Sequence, residues 1–566
     1  MKYKYIFLVS TILLLNVYLS KAANDTTFQK PVQESSKIIK INGSAGITSD
    51  YISTTNSQGL DSTRRQFAPQ TSLRGSLMLN VNLYDQVQLP FEVWYTTTEI
   101  GFQQPFNQFG VNPRIGNWLT LHAGYFNAKI SDLSFGDSRI MGGGFELTPG
   151  NFVISGLYGR IRARRDADSS VQFPGEYKRM ALALKFGYGK EGDVYANLNL
   201  VRGWDDSTSH FTNENAPTPT ENFVTSFAFG APISQLFRIS GEAAISAFSN
   251  NIYDEVKTNT GLPSFVNNIF TTRYSSQFDG ALKGAISFTP NRNFSLRLNT
   301  LWVGPGFQTI GYPQMPNDVF NVTLAPAFRL SDGMYSIKGS IGIQENNLRN
   351  NLLASTERII GSLDLFGQVT QTLSINAQYS NYGMKTAMNR DTVHVQNIAQ
   401  IISISPNLNF QWLGATNVLS LSYSFQDVSD RSSYDTVSEN NSTNTLNLTY
   451  ALLFENTLTL TTGVFYNNNK SVYSSAILSC NETAGYSFLD KKLMTSLTLG
   501  ICTISTVNND VQANARLTIS YSMAQFGTFT VNFSNMNYMS GPTSGYYQGV
   551  PSYNEFQGTL QYGISF

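Results

Sequence analysis

Apolar and polar residues alternate one by one through most of this chain. Leu73, Gly75, Leu77, Leu79, Val81 and Leu83 oppose Ser72, Arg74, Ser76, Asn80 and Asn82. Met180, Leu182, Leu184, Phe186 and Tyr188 oppose Arg179, Ala181, Ala183 and Lys185 in the same way. The pattern recurs in Phe294, Leu296, Leu298 and Trp302 against Ser295, Arg297 and Asn299, and in Leu446, Leu448, Tyr450 and Leu452 against Thr445, Asn447 and Thr449. Successive side chains of a strand point to opposite faces, so each segment predicts a β-strand with one apolar and one polar side.

Short turns punctuate these strands at Tyr84-Asp85-Gln86, Thr148-Pro149-Gly150, Lys190-Glu191-Gly192-Asp193, Pro290-Asn291-Arg292, Ser331-Asp332-Gly333, Glu455-Asn456 and Leu489-Asp490-Lys491. Between them lie longer polar stretches, including 205–221, 250–272, 304–316 and 540–552. The result is a chain of hairpins with strands of about 10 to 15 residues, tight at one end and long-looped at the other. Reading 118–126 as the sole strand between Thr98 and Ser138 gives an odd count. A further strand over 102–112, turning at Pro113-Arg114-Ile115-Gly116, puts every short turn at one rim and brings the total to about 26 strands.

The last strand, Tyr553 to Phe566, decides between a soluble sheet and a barrel. Phe556, Gly558, Leu560, Tyr562, Ile564 and Phe566 share one face; Glu555, Gln557, Thr559, Gln561, Gly563 and Ser565 share the other. An apolar outer side and a wet inner side suit the closing strand of a membrane barrel. Soluble sandwiches of this length divide into domains joined by linkers. No Pro- or Gly-rich linker follows residue 36.

Composition agrees. The 566 residues are 41% hydrophobic and 13% aromatic but only 13% charged, about half the usual charged share. A net charge of zero gives no electrostatic case for nucleic acid. Residues 1–22 read as a signal peptide: Lys2 and Lys4, the apolar run Ile6 to Leu19, and the small-x-small site Ser20-Lys21-Ala22. Residues 23–36 form a polar, flexible segment, and 37–566 the barrel. No later apolar run approaches the roughly 18 residues of a transmembrane helix.

A barrel this wide cannot fill its interior with its own wall side chains. Arg74, Glu92, Glu146, Arg160, Arg162, Arg179 and Lys185 are the main charged lumen candidates, followed by Arg238, Glu242, Asp279, Lys283, Arg297, Lys338, Arg358 and Asp364. Past Leu373 the polar face is mostly Ser, Thr, Asn and Gln, with Arg516 its clearest charge. Arg160, Arg162, Arg179 and Lys185 either form a basic patch favouring anionic solutes or serve as scattered charges that keep a wet wall hydrated. Residues 104–114, with Pro105, Pro113 and interleaved Phe and amides, suit either an inward constriction loop or an ordinary irregular hairpin.

Other chemistry is sparse. Cys480 and Cys502 sit in the two arms of one hairpin. A two-residue loop at Asp490-Lys491 makes them miss by one position and face opposite sides, whereas a three-residue loop places them across from each other. Continuing the lipid face along both arms requires the former. His122 lies on the polar side of its strand, one strand from Glu146, and a lone lumen histidine is usually a wall residue. No HExxH, CxxC, phosphate loop or dinucleotide fingerprint is present, so neither an enzyme, a metal nor a cofactor is implied.

With its signal peptide and the terminal Tyr562-x-Ile564-x-Phe566, the mature chain resembles the large outer-membrane β-barrels of Gram-negative bacteria, most of all uncharacterised barrels of the Bacteroidota. The resemblance implies an all-β, single antiparallel up-and-down transmembrane barrel in the outer membrane. It also implies Tyr562, Ile564 and Phe566 as a sorting signal read by the barrel assembly machinery. TonB-dependent receptors carry an N-terminal plug of over a hundred residues, while only about 14 residues precede the first strand here. The expected function is a passive porin-like channel for small polar solutes, with outer-membrane lipid as its other partner. The alternative is a structural or partner-binding barrel in a secretion or envelope-assembly complex. Its lumen would be closed by the loops at 205–221 and 250–272, and its protein partners are unnamed.

Overall fold

The computed structural model describes residues 39–55, 70–97, 108–136, 138–167, 173–208, 217–258, 269–352, 354–388, 394–430, 440–471, 474–506, 509–541 and 552–566. These form one antiparallel sheet of 26 strands, in chain order, whose last strand pairs with its first. Two strands are interrupted: Gln108–Val111 continues as Arg114–Ile115, and Leu373–Tyr382 as Met384–Met388. Among the described residues no helix is long and apolar enough to cross a membrane.

Closure runs from Ser44↔Ser565 to Thr55↔Asn554. It leaves no exposed ladder of unpaired N–H and C=O groups, which a lipid-facing sheet cannot tolerate. Twelve short connections share one rim with Ile39 and Ser565. Leu413 (φ 55°) and Gly414 (φ 68°) link Trp412 to Ala415 with both central residues left-handed, the backbone of a two-residue hairpin turn. The turn expected at Pro113–Gly116 is displaced: the strand runs on to Ile115, the chain turns at Gly116–Trp118, and the next strand is Leu119–Ala128. Ile115 pairs with both Val87 and Leu119, so it still belongs to the wall. The expected signal peptide and polar segment, residues 1–36, lie outside the described residues.

The apolar faces point outward. Leu182, Phe186, Leu198, Phe227, Ile245, Leu282, Ile341, Leu499, Ile501 and Leu560 are all exposed. Most of the buried side chains lie inside the barrel and on one side of it. They cluster on Leu157, Ala183, Val201, Val224, Ala281, Val303 and Val319 of the inner wall and on Phe126, Ile130, Leu133, Phe135 and Phe307 of two inward-folded segments. Among the described residues from 354 onward only Ser380, Ala415, Asn417 and Ile564 are buried.

Candidate functional site: a shelf inside the barrel

Two segments build the shelf. The first is the hairpin of Leu119–Ala128 and Ser138–Leu147 with its connection. At Gly124 (φ +88°) it leaves the wall. Beyond that point the Tyr125 carbonyl stands over the inner side of Gly110, where any Cβ would collide with it. Arg139 then reaches across the lumen face to Glu92, 2.7 Å away. Gly142 and Gly159, the next two positions across the sheet, are equally crowded by neighbouring backbone. A row of glycines is therefore the hinge.

The second segment is 304–318, between Phe294–Val303 and Val319–Leu330. The Asp279 carboxylate holds its start, accepting from the Gly306 N–H at 2.8 Å and from Arg349 at 2.7 Å. Asn222 pins its middle. Asn222 Oδ1 accepts the Ile310 N–H at 3.0 Å, and Nδ2 donates to the Gln308 carbonyl at 3.0 Å. Gly203 leaves room on the wall for Ile310, whose side chain would be 2.7 Å from any Cβ there.

The segments also clasp each other. Thr309 Oγ1 donates to the Ser134 carbonyl at 2.5 Å, Ser138 Oγ donates to the Gly311 carbonyl at 3.0 Å, and Phe135 bridges Gly311. Beneath them the inner wall has two cross-strand rows that suit a docked loop. Leu157, Ala183, Val201 and Val224 are successive partners, and so are Ser226, Ala244, Ala281, Val303 and Val319. Small and β-branched apolar groups at these inward positions bury Phe135 and Phe307 to 0% and 2% exposure. Large apolar groups removed from water are the main driving force for docking.

The shelf carries charge at its tip. Asp132 lies 2.8 Å from Lys129 and 2.5 Å from Lys283. Burial of Asp132 alone would push its carboxyl up, but hydrogen bonds and charges from both lysines hold it below the usual 3.8. Recesses of 290 and 420 Å³ flank the Asp132–Lys283 pair; Lys185, Glu242 and Arg297 line the smaller. Arg297 has no ion-pair partner among the described residues.

The expected lumen charges are distributed differently from a single basic patch. A bulge between Arg160 and Arg162 shifts the register, so Arg160 pairs with Met180 while Arg162 pairs with Arg179. Met180 and Arg179 are adjacent and face opposite ways, so Arg160 is on the other face, bonding Tyr125 Oη at 3.2 Å. Arg162 is neutralised by Glu176 at 3.1 Å and Arg179 by Asp205 at 2.7 Å. Lys185 stands apart and donates to the Ile130 carbonyl at 3.3 Å. Arg74 pairs with Asp50 at 2.8 Å. His122 joins Asn112 at 2.8 Å and Glu146 at 3.5 Å, and stacks on Phe126.

Of the two readings of 104–114, the described part fits the hairpin: it is wall strand, because Gln108 to Val111 pair with Trp94 to Phe91; residues 104–107 lie outside the described residues. The shelf is made instead by 304–318, expected as an outer loop, and by the tip at 129–136, which was not singled out. Its signal was Ile130, Leu133 and Phe135 in a connection. Of the loops expected to close the lumen, 209–216 and 259–268 lie outside the described residues. At the closing strand Tyr562 Oη donates to the Phe526 carbonyl at 2.6 Å, Ile564 is buried, and the Phe566 N–H bonds Gly43. Cys480 pairs with Ile501 and Cys502 with Ser479, so the thiols miss by one position, and both are free. Among the described residues no cluster of His, Cys, Asp and Glu is arranged to hold a metal.

No family model and no curated protein matches the sequence. Solved barrels do resemble it in outline. The P pilus usher (PapC) translocation pore is 11% identical over 93% of this chain and 99% of its own, with a TM-score of 0.38. The FrpB iron transporter from Neisseria meningitidis is 10% identical over 92% and 81%, with a TM-score of 0.39. OccAB2 of Acinetobacter baumannii is 10% identical over 62% and 92%, with a TM-score of 0.29. At such scores these likenesses say nothing of what passes through this barrel, and the reading below rests on its own geometry.

Proposed function

We propose that the chain spans the outer membrane of a Gram-negative bacterium as a passive channel for small polar solutes, narrowed on one side by the shelf. The outward apolar faces support a lipid surround, and the short-turn rim is then the periplasmic one. Tyr562, Ile564 and Phe566 on the closing strand then serve as its sorting signal. The observation that carries the channel is the one-sided core. With strands about 4.8 Å apart and tilted about 40°, a 26-strand wall has a perimeter of roughly 160 Å, or about 50 Å across if round. The shelf covers the inner wall from Leu157 to Val319, while the opposite wall carries Ser, Thr, Asn and Gln with almost nothing packed on them among the described residues. A shelf docked on one side supports a narrowed lumen more than a closed one.

Single-channel recording of the refolded mature chain in a planar bilayer tests this. Steady openings are expected, with a weak anion preference that Arg297→Gln reduces and Arg160→Gln leaves alone, since Arg160 is on the other face. Silence from a demonstrably folded barrel refutes the channel. The docked shelf would then favour the alternative, a barrel that assembles with a protein partner.

A further inference from the structure

Beside the shelf, bordered by its Arg139, the inner wall presents a large recess of 1030 Å³ with an unusual floor. Trp94 lies on the polar, inward side of Val87–Thr96 and is 41% exposed. Its indole has no hydrogen-bond partner among the described residues. A tryptophan bared to a wet lumen forfeits the burial that normally repays so large an apolar face.

The sheet register shows what lies beside it. Trp94 pairs with Ser76, Ser76 with Gly46 and Gly46 with Gly563, a row with almost no side chain. The next row is Thr96, Arg74, Thr48 and Gln561, all polar. An aromatic plane thus opens onto a shallow floor bounded by hydrogen-bonding groups. The charges around it are locked and balanced. Asp50 holds Arg74 at 2.8 Å and also accepts from Ser72 and Thr559, both at 3.0 Å, while Glu92 holds Arg139 at 2.7 Å. Among the described residues that line it, two acids against two bases leave the recess no net charge to attract an ion. Glu92 also borders a second recess of 390 Å³ that continues toward the short-turn rim past Asn42, Asn80 and Asn112.

From these features we infer that the recess is a binding track for an uncharged oligosaccharide. The inference rests on the channel reading for how the ligand arrives. The C–H face of a sugar ring stacks on Trp94, and vicinal hydroxyls meet the paired donors and acceptors of Gln561, Arg74–Asp50 and Arg139–Glu92. Neutrality of the recess excludes a net electrostatic pull. Its two-part length fits a ligand of several rings, since drug-sized ligands fill about 300–1,000 Å³.

The test uses the full-length mature barrel with gluco-, manno- and chito-oligosaccharides of two to six units. At least one series is expected to interrupt the single-channel current and to change tryptophan emission in detergent. Trp94→Ala is expected to raise the half-blocking concentration about tenfold, the scale of losing one aromatic contact. Trp94→Phe restores most of it, and Trp118→Ala, at the rim turn, has no effect. Open channels that no series blocks, or equal block in Trp94→Ala and the parent, overturn the inference and leave the channel standing. Should the barrel not conduct, the emission titration reads binding by itself; a response lost in Trp94→Ala keeps the site, and no response removes it.

Discussion

Asn222→Leu tests whether the shelf is held by one side chain. Asn222 is completely buried, and its amide serves four groups at once. Nδ2 faces Ser246 Oγ, the Ala247 carbonyl and the Gln308 carbonyl, each at 3.0 Å, while Oδ1 accepts the Ile310 N–H at 3.0 Å. Leucine shares the branched four-atom side-chain skeleton, with methyl groups bulkier than the amide, so it follows the same path along the wall without the hydrogen-bonding groups. The Gln308 carbonyl keeps Ser246 Oγ as a donor, but the Ile310 N–H is left buried without an acceptor. That costs about 1–3 kcal/mol. At 1.4 kcal/mol per decade, local opening of the loop rises roughly 5- to 150-fold. The strand ladders are unaffected, so the heat-induced shift of the folded band on a gel stays put. Hydrogen exchange reads the effect directly. Protection at Ile310 and Gly311 should fall by that factor, with strand Val319–Leu330 unchanged. Conductance should become larger or noisier as the loop leaves the wall. Unaltered protection at Ile310 would show that the docked apolar residues, Phe307 above all, hold the shelf without the amide.

Two further outcomes follow from the geometry. The Asp132 carboxyl is held below 3.8, so its tether to Lys129 and Lys283 is present above that value and lost as pH falls through the lower folded value. Conductance should thus be flat from neutral pH to about pH 5, with any change confined below 3.8, and Asp132→Asn should abolish the acid step. A transition near pH 6 would implicate another group. In lipid vesicles a membrane-impermeant maleimide should label Cys502, on the lumen side, faster than Cys480, whose partner Ile501 is 53% exposed on the outer face. Mobility without reductant should match that with it, and the reverse labelling order would mean the faces are misassigned.

What was legible in the sequence was local. A two-residue period needs only neighbouring positions, so strand identity, the polar and apolar faces, the short-turn rim and the even count could be read from residues such as Leu73–Leu83 and Phe556–Phe566. The cysteine register was legible for the same reason, because a hairpin pairs residues at a fixed sum. The bulge at Arg160–Arg162 was not. It inserts one residue into one strand only, and alternation within that strand cannot reveal which partner has slipped; Arg160 was therefore placed on the wrong face. The shelf was decided by tertiary structure alone. Ser134 meets Thr309 across 175 positions and Ser138 meets Gly311 across 173. Its trace in the sequence is a wall apolar on both faces, with Ala181, Ala183, Val201, Val224 and Val303 inward where a wet lumen would call for polar groups. Alone, that pattern says only that something covers the inner face. Naming the cover requires closing the sheet, because only closure brings the glycine-hinged hairpin and the 304–318 loop into the same space.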